Sequence, residues 1–192
     1  MKKSKYLQVI NYKNQLLKKI ILEEKKINKI SKLIYSRLKK GNKIMLCGNG
    51  GSAADAQHLA AEFLIRLRPK INRKPLAAIS LAQDTSTITA CGNDYSFNNI
   101  FSRNLQALGK KNDILIVIST SGNSKNIINV LKIASKMKIT SIGLLGNTGG
   151  IAKNFCNYNI IVPSDVTARI QEIHIFLGHF IFETVEELFL KK

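Results

Sequence analysis

Lys43-Ile44-Met45-Leu46-Cys47-Gly48-Asn49-Gly50-Gly51-Ser52-Ala53-Ala54-Asp55 is the stretch that decides the fold. A short apolar run ends in a glycine-rich turn, and an alanine-rich segment follows at once. Lys43–Cys47 predicts a buried strand and Ser52–Leu67 a helix, with Ser52 placed to cap it. The same alternation continues downstream. Leu76–Ser80, Ile114–Ser119, Ser141–Leu145 and Asn159–Val162 predict strands, with the Gly146–Gly150 turn following Ser141–Leu145. Ser96–Leu108, Ser124–Lys136 and Thr167–Leu190 predict helices. Ile/Val/Leu runs separated by helices imply a parallel sheet covered on both faces. The expected fold is α/β: a doubly wound, five-stranded parallel sheet flanked by helices.

Upstream, residues 3–40 predict one long helix with an apolar stripe through Leu7, Ile10, Leu17, Ile20, Ile21, Ile27, Ile30, Ile34 and Leu38. Gly41-Asn42 ends it. Residues 1–41 are therefore expected to form a helical arm that packs on the domain or on a neighbouring subunit, and residues 42–192 the sheet domain. The 192 residues suit one such domain, and a hydrophobic content of 45% excludes a disordered chain. Cys47, Cys91 and Cys156 are odd in number and widely spaced, which excludes a disulfide framework or zinc ribbon and fits a reducing compartment. The most apolar run, Ile173–Phe182, has about half of the ~20 residues a membrane span needs. Met1–Lys5 resembles the start of a signal peptide, but Asn11, Lys13, Asn14 and Gln15 interrupt any apolar core after it. A cytoplasmic protein with no membrane partner is the expectation.

The formal net charge is +18. Such an excess raises nucleic acid as a partner. The basic residues, however, are 24 Lys and only 6 Arg, whereas base-reading and phosphate-clamping surfaces favour the planar Arg fork. Lys, Asn and Ile make up over a third of the chain, and all three have A/T-rich codons, so genome composition is a sufficient cause. The excess is also uneven: residues 1–43 hold 14 Lys/Arg against 2 Glu, and residues 44–192 hold 16 against 10 acids. It sits on the arm, away from every candidate site residue.

Ligands of open α/β sheets bind beyond the carboxyl ends of the strands. Two loops there carry chemistry. Gly48-Asn49-Gly50-Gly51-Ser52 lets the backbone turn tightly and bring N–H groups to an anion at a helix N-terminus. It matches a relaxed dinucleotide fingerprint, but the next strand ends at Ser80 with no acid to hold a ribose, which argues against nicotinamide or flavin. Ser119-Thr120-Ser121-Gly122-Asn123-Ser124 clusters hydroxyls around one point, again before a helix. It lacks the lysine of a triphosphate loop and suits a phosphate monoester, so no nucleotide is expected.

His58 and Glu62 are one turn apart on one face of the alanine-rich helix. On the last helix Gln171, Ile175 and His179 form an i, i+4, i+8 stripe, while His174 points elsewhere and is expected to be a satisfied core residue. His58, Glu62, Gln171 and His179 together offer a metal site of imidazole and oxygen donors. Gln171 and His179 are about 12 Å apart along a helix axis, a long reach for a single ion. Either this helix gives one residue to its own site and one to a neighbour's, which is the preferred reading, or it bends near Gly178, or the metal uses fewer of these residues.

These segments, with Cys91-Gly92-Asn93-Asp94-Tyr95, His58-Leu59-Ala60-Ala61-Glu62-Phe63 and Thr167-Ala168-Arg169-Ile170-Gln171-Glu172, follow in an order that resembles the phosphoheptose isomerases, enzymes built on a single sugar-isomerase (SIS) domain. The resemblance covers nearly the whole chain. It implies conversion of sedoheptulose 7-phosphate to D-glycero-D-manno-heptose 7-phosphate, toward ADP-heptose for lipopolysaccharide or capsule. It also implies a homotetramer with active sites between subunits. By position it implies substrate contacts at Asn49, Gly50, Gly51, Asn93, Asp94, Ser119, Thr120, Ser121, Ser124 and Gln171. Where zinc is carried, it implies ligands at His58, Glu62, Gln171 and His179.

From the residues themselves, a ketose–aldose interconversion needs a base to move a proton between C1 and C2 and an acid for the neighbouring oxygens. Glu62 is the expected base and His179 the expected acid; Ser52 and Arg66 join the substrate-binding set. Zinc on Glu62 and His179 would compete with those roles or act instead as a Lewis acid. The alternative is a non-catalytic SIS module that binds a phosphosugar or a protein such as a replication initiator. The basic arm favours that alternative; the presence of both Glu62 and His179 favours the enzyme.

Overall fold

The computed structural model describes residues 4–191; Met1–Lys3, which open the expected arm, and Lys192 lie outside the described residues. Five parallel strands, β1 (Ile44–Gly48), β2 (Ala78–Ser80), β3 (Ile114–Ser119), β4 (Thr140–Gly146) and β5 (Tyr158–Val162), form one sheet in the order β2-β1-β3-β4-β5. Leu46 pairs with Ser80 on one side and with Ile116 on the other. The chain leaves β1 for one edge and then returns to build β3, β4 and β5 on the other. The loops after β1 and β3 therefore flank the point where the winding reverses, which is where a crevice opens.

Alternate strand residues supply two cores, as the two-residue period of a strand requires. Ile44, Leu46, Ile114, Ile116 and Ile118 face α2 (Glu24–Lys39), α3 (Gly51–Leu64) and α7 (Thr167–Leu190). Met45, Cys47, Leu115 and Val117 face α5 (Ile100–Leu108) and α6 (Lys125–Lys136). Both faces are covered, as the continuous apolar strands require.

The single long helix expected over residues 3–40 is two helices. α1 (Lys5–Ile20) ends in a 3₁₀ turn over Ile21–Glu23 before α2 begins. Ile20 and Ile27, on either side of the turn, are both buried, while Ile21 and Leu22 are turned out to the surface. Residues seven apart share one helical face, so the turn keeps both isoleucines on the inner side while Ile21 and Leu22, between them, face out. Ile27, Ile30 and Ile34 of α2 belong to the same core as Ile44, Leu46 and Phe63, so the second half of the arm is continuous with the interior of the domain.

A further helix, α4 (Thr85–Asp94), lies where no element was expected. Its sequence TSTITACGND is rich in β-branched and small polar residues of poor helix propensity. What starts it is local: the Asp84 carboxylate accepts from the backbone N–H groups of Ser86 and Thr87. The helix expected from Ser52 to Leu67 stops at Leu64, and residues 65–77 form a connection to β2 that returns along the end of α3.

His174 is fully buried on α7, as expected, and the Leu145 backbone is the polar group that acts on its ring. Burial pushes its pKa down to about 4, with only the Leu145 backbone pulling the other way. The folded chain thus holds a neutral imidazole that the unfolded chain would protonate below pH ~6.5. Between pH ~6.5 and ~4 the unfolded state binds the extra proton, so stability falls as pH falls through that window, by up to about 3 kcal/mol. Urea titrations at several pH values should show this slope in the native chain and its loss in His174→Leu; an unchanged slope would remove His174 as its source.

Candidate functional site

The two loops singled out in the sequence meet. Asn49, after β1, and Asn126, in the first turn of α6, exchange side-chain amide hydrogen bonds at 2.9 Å in both directions. This reciprocal pair ties the glycine-rich loop to the start of the hydroxyl loop across the point where the sheet winding reverses. Gly50 takes a left-handed φ of 56° at the N-cap of α3, a conformation that glycine reaches without steric cost. Ser52 is buried in the first turn of the same helix.

In the second loop the Ser119 hydroxyl accepts from the Gly122 N–H, and the Ser121 hydroxyl accepts from the Asn123 N–H. Ser124 stands at the N-cap of α6 without a side-chain capping bond, leaving that hydroxyl and the helix's first N–H groups turned to one end of the loop. Thr120 is half-buried between them. The loop rests on the turn after β4. The Ala152 N–H donates to the Gly122 carbonyl and the Ile151 N–H to the Asn123 side chain. Gly122 has φ of 64°, and a Cβ there would stand 2.1 Å from the Gly149 carbonyl oxygen. The Gly146–Gly150 turn, visible in the sequence only as a turn, is thus the floor of the hydroxyl loop.

The second cluster lies between α3 and α7, which run side by side in the same direction. Gly51 meets Gln171, Leu59 meets Gly178, and Phe63 meets Phe182 with ring centroids 3.7 Å apart. Gly178 permits the approach, since a Cβ there would sit 2.5 Å from a Leu59 methyl. His58 Nε2 lies 2.9 Å from His179 Nε2 and 3.4 Å from Glu62 Oε1. One ligand atom from each of His58, Glu62 and His179 falls within 4.8 Å of the others. Glu62 Oε2 is buried with no hydrogen-bond partner among the described residues.

Two converging imidazole nitrogens beside a carboxylate with an unpartnered oxygen form a donor set that suits zinc. Gln171 is at the other end of the α3–α7 contact, against Gly51, as the 12 Å rise along the helix requires. The expected four-residue set is three residues and a distant fourth within one chain.

Asp55 was not singled out from the sequence. It stands one turn before His58 on α3, with Oδ2 buried and unpartnered among the described residues. Burial raises its pKa, and His58 and His179 pull it back. The signal was available in the spacing, since 55, 58 and 62 share a helical face. The remaining expected residues are exposed. Arg66 stands just past the end of α3, and Asn93 donates to Asp94 at 2.8 Å at the end of α4.

The 2-1-3-4-5 parallel sheet with a hydroxyl-rich loop at its winding reversal is a doubly wound α/β domain with a ligand crevice at the switch point, and residues 8–146 match the SIS domain family model, which makes it a sugar-isomerase type of domain. At 52% identity over 167 residues, 86% of this chain and 84% of the relative, the chain is similar to the phosphoheptose isomerase of Clostridium acetobutylicum. It is 46% identical over 186 residues to that of Aliarcobacter butzleri, covering 97% of both chains. A solved structure of the Neisseria gonorrhoeae phosphoheptose isomerase superposes with a TM-score of 0.87 at 36% identity, covering 95% of this chain and 97% of that one. The chain belongs to the phosphoheptose isomerase family of SIS-domain enzymes.

Replacing Gly122 by alanine must open the loop from its floor. Gly122→Ala should cost roughly 1–3 kcal/mol of stability through the strained φ and the backbone clash. It should also weaken phosphate binding at least tenfold by titration calorimetry with inorganic phosphate. Unchanged phosphate affinity in the folded variant would show that this loop does not hold the phosphate.

Proposed function

We propose that this chain interconverts sedoheptulose 7-phosphate and D-glycero-D-manno-heptose 7-phosphate, through an enediol, on the way to the heptose units of a surface glycan. The observation that carries the reading is the juxtaposition of Glu62 with His58 and His179 across the α3–α7 contact, in a family of phosphoheptose isomerases. An aldose–ketose isomerisation moves one proton between adjacent carbons and reassigns protons on the two oxygens, with no net oxidation.

Glu62 takes the proton from one carbon and returns it to the other. His179 serves the adjacent oxygens, donating to the one that becomes hydroxyl and accepting from the one that becomes carbonyl. Ser119, Thr120, Ser121 and Ser124 hold the phosphate at the N-terminus of α6, so that binding energy far from the reacting carbons sets their position. Asn49, Gly50, Gly51 and Ser52 complete that end. Arg66, Asn93, Asp94 and Gln171 hold the sugar hydroxyls. Zinc, if bound, would be held by His58, Glu62 and His179 with a Gln171 as the fourth residue of the set, and would supply Lewis-acid chemistry in place of the proton-transfer roles of Glu62 and His179.

The active form is a homotetramer with its sites between subunits. His58 is half-exposed, and Ile21 of the arm lines one apolar groove with Phe176 and Phe180, which stand either side of His179 along α7. Large exposed apolar side chains grouped around a polar cluster mark a surface that another chain covers. A neighbour's α7 brings the second Gln171 that one chain cannot deliver to its own His58. In this arrangement residues 1–41 act as an arm, α2 packing on its own domain and α1 on a neighbour. The protein works in the cytoplasm; no described helix is long and apolar enough to cross a membrane.

Proton NMR of the purified protein with sedoheptulose 7-phosphate tests the reading. New aldose anomeric signals are expected with the native chain, and Glu62→Gln and His179→Gln should each lose at least about a hundredfold in rate. Turnover that survives in Glu62→Gln would overturn the role given to that residue. No turnover with or without added zinc would leave a phosphosugar- or protein-binding SIS module.

A further inference from the structure

The α3–α7 contact has a second tie that lies outside the site. Arg73, on the connection between α3 and β2, is nearly fully buried and makes one set of bonds to each helix. Its Nε donates to Glu186 Oε1 on α7 at 2.7 Å. Its Nη2 donates to the main-chain carbonyl of Glu62 at 2.7 Å, and its Nη1 to those of Phe63 and Lys74 at 3.0 and 3.1 Å. Glu186 is 1% exposed, and its other oxygen accepts from Arg68 Nε at 2.6 Å. The guanidinium thus caps the carbonyl end of α3, where the helix dipole favours a cation, and fastens that end to α7.

The position of this clamp relative to the chemistry is what matters. Glu62, whose carbonyl is held, is the same residue whose carboxylate faces His58. Glu186 is seven residues beyond His179, two turns along the same face of α7. Between them the Phe63–Phe182 ring contact fills the space. The spacing of Glu62 and His179 is therefore set above by the Leu59–Gly178 contact and below by Arg73–Glu186.

An apolar staple would hold the helices together as well. A buried ion pair is often no more stabilising than well-packed apolar residues of similar size. What the fork adds is direction, because its donors fix both distance and angle between the groups they join. We infer that Arg73 and Glu186 are positioning residues that set the register of Glu62 against His179. This rests on the isomerase and metal-site reading given above.

The test is the double substitution Arg73→Met with Glu186→Met, which removes both buried charges together and leaves Arg68 with Glu187, its second partner at 3.2 Å. Three quantities are read: urea stability, kcat and KM for the sugar phosphate, and the zinc dissociation constant by competition with a chromogenic chelator. Stability should fall but leave a folded protein, because the carbonyls of Glu62 and Lys74 and the Arg68 Nε lose partners. kcat should fall about 10- to 100-fold with KM within about twofold, and zinc should bind about 10-fold or more weakly. Arg73→Lys, which keeps the charge and loses the fork, should show the same loss in kcat.

A folded double variant with native kcat and native zinc affinity would reduce the pair to a structural role and overturn the inference, as would native kcat in Arg73→Lys. Should the double variant fail to fold, Glu186→Gln keeps the shape and one acceptor and carries the same readouts. A native chain that binds zinc without turnover refutes the proposed reaction yet still tests the clamp through zinc. A native chain with neither property overturns both.

Discussion

The close parallel packing of α3 on α7 is the constraint from which the rest of this molecule follows. Two helices can bring short-reach side chains such as histidine into contact only if their axes come together, and that needs small residues where they touch. Gly178 against Leu59 and Gly51 against Gln171 meet that need. Ala56 and Ala60 line the inner side of α3 in the core. Once the axes are fixed, His58 and His179, 121 residues apart in sequence, are held at 2.9 Å. Larger residues at these positions would separate the helices by more than an imidazole can span.

The sheet supplies the second condition. Because the strand order reverses between β1 and β3, the turns that follow these two strands lie next to each other rather than at opposite edges. The Asn49–Asn126 amide pair then locks a glycine-rich loop to a hydroxyl-rich one. Each loop alone is an ordinary capped turn. Together they place two helix N-termini and several hydroxyls around one crevice, which is a favourable setting for a phosphate monoester. The turn after β4 acts as a backstop, and its glycines are needed because backbone approaches backbone there.

The arm reconciles two opposite tendencies. Its lysines give the chain most of its positive excess, yet Ile30 and Ile34 of α2 are as deeply buried as any strand residue. α1, in contrast, leaves Tyr6, Leu7 and Ile10 at the surface, and Ile21, Leu22, Phe176 and Phe180 are exposed as well. An amphipathic helix with its apolar stripe only half covered has a face left for another surface.

The sequence by itself determined the class of fold, the order of its strands and helices and the identity of its two loops. Those features are periodic or local: runs of Ile and Val, glycines at turns, a serine before a helix. It also named His58, Glu62, Gln171 and His179, because spacing on one helix is legible without a partner helix. It did not disclose α4, whose residues have poor helix propensity and which depends on the Asp84 cap and on packing against its neighbours. Nor did it disclose the break at Ile21–Glu23, a short tightening to a 3₁₀ turn that leaves the apolar period on either side intact and so has no signature in the pattern.

Only the tertiary structure decided that His179 faces His58 while Gln171 lies against Gly51, that Asp55 borders the cluster, and that Arg73 grips the carbonyl of Glu62. The physical reason is the same in each case. A sequence pattern reports the face of one element at a time, whereas these pairings depend on the offset and closeness of two elements packed together.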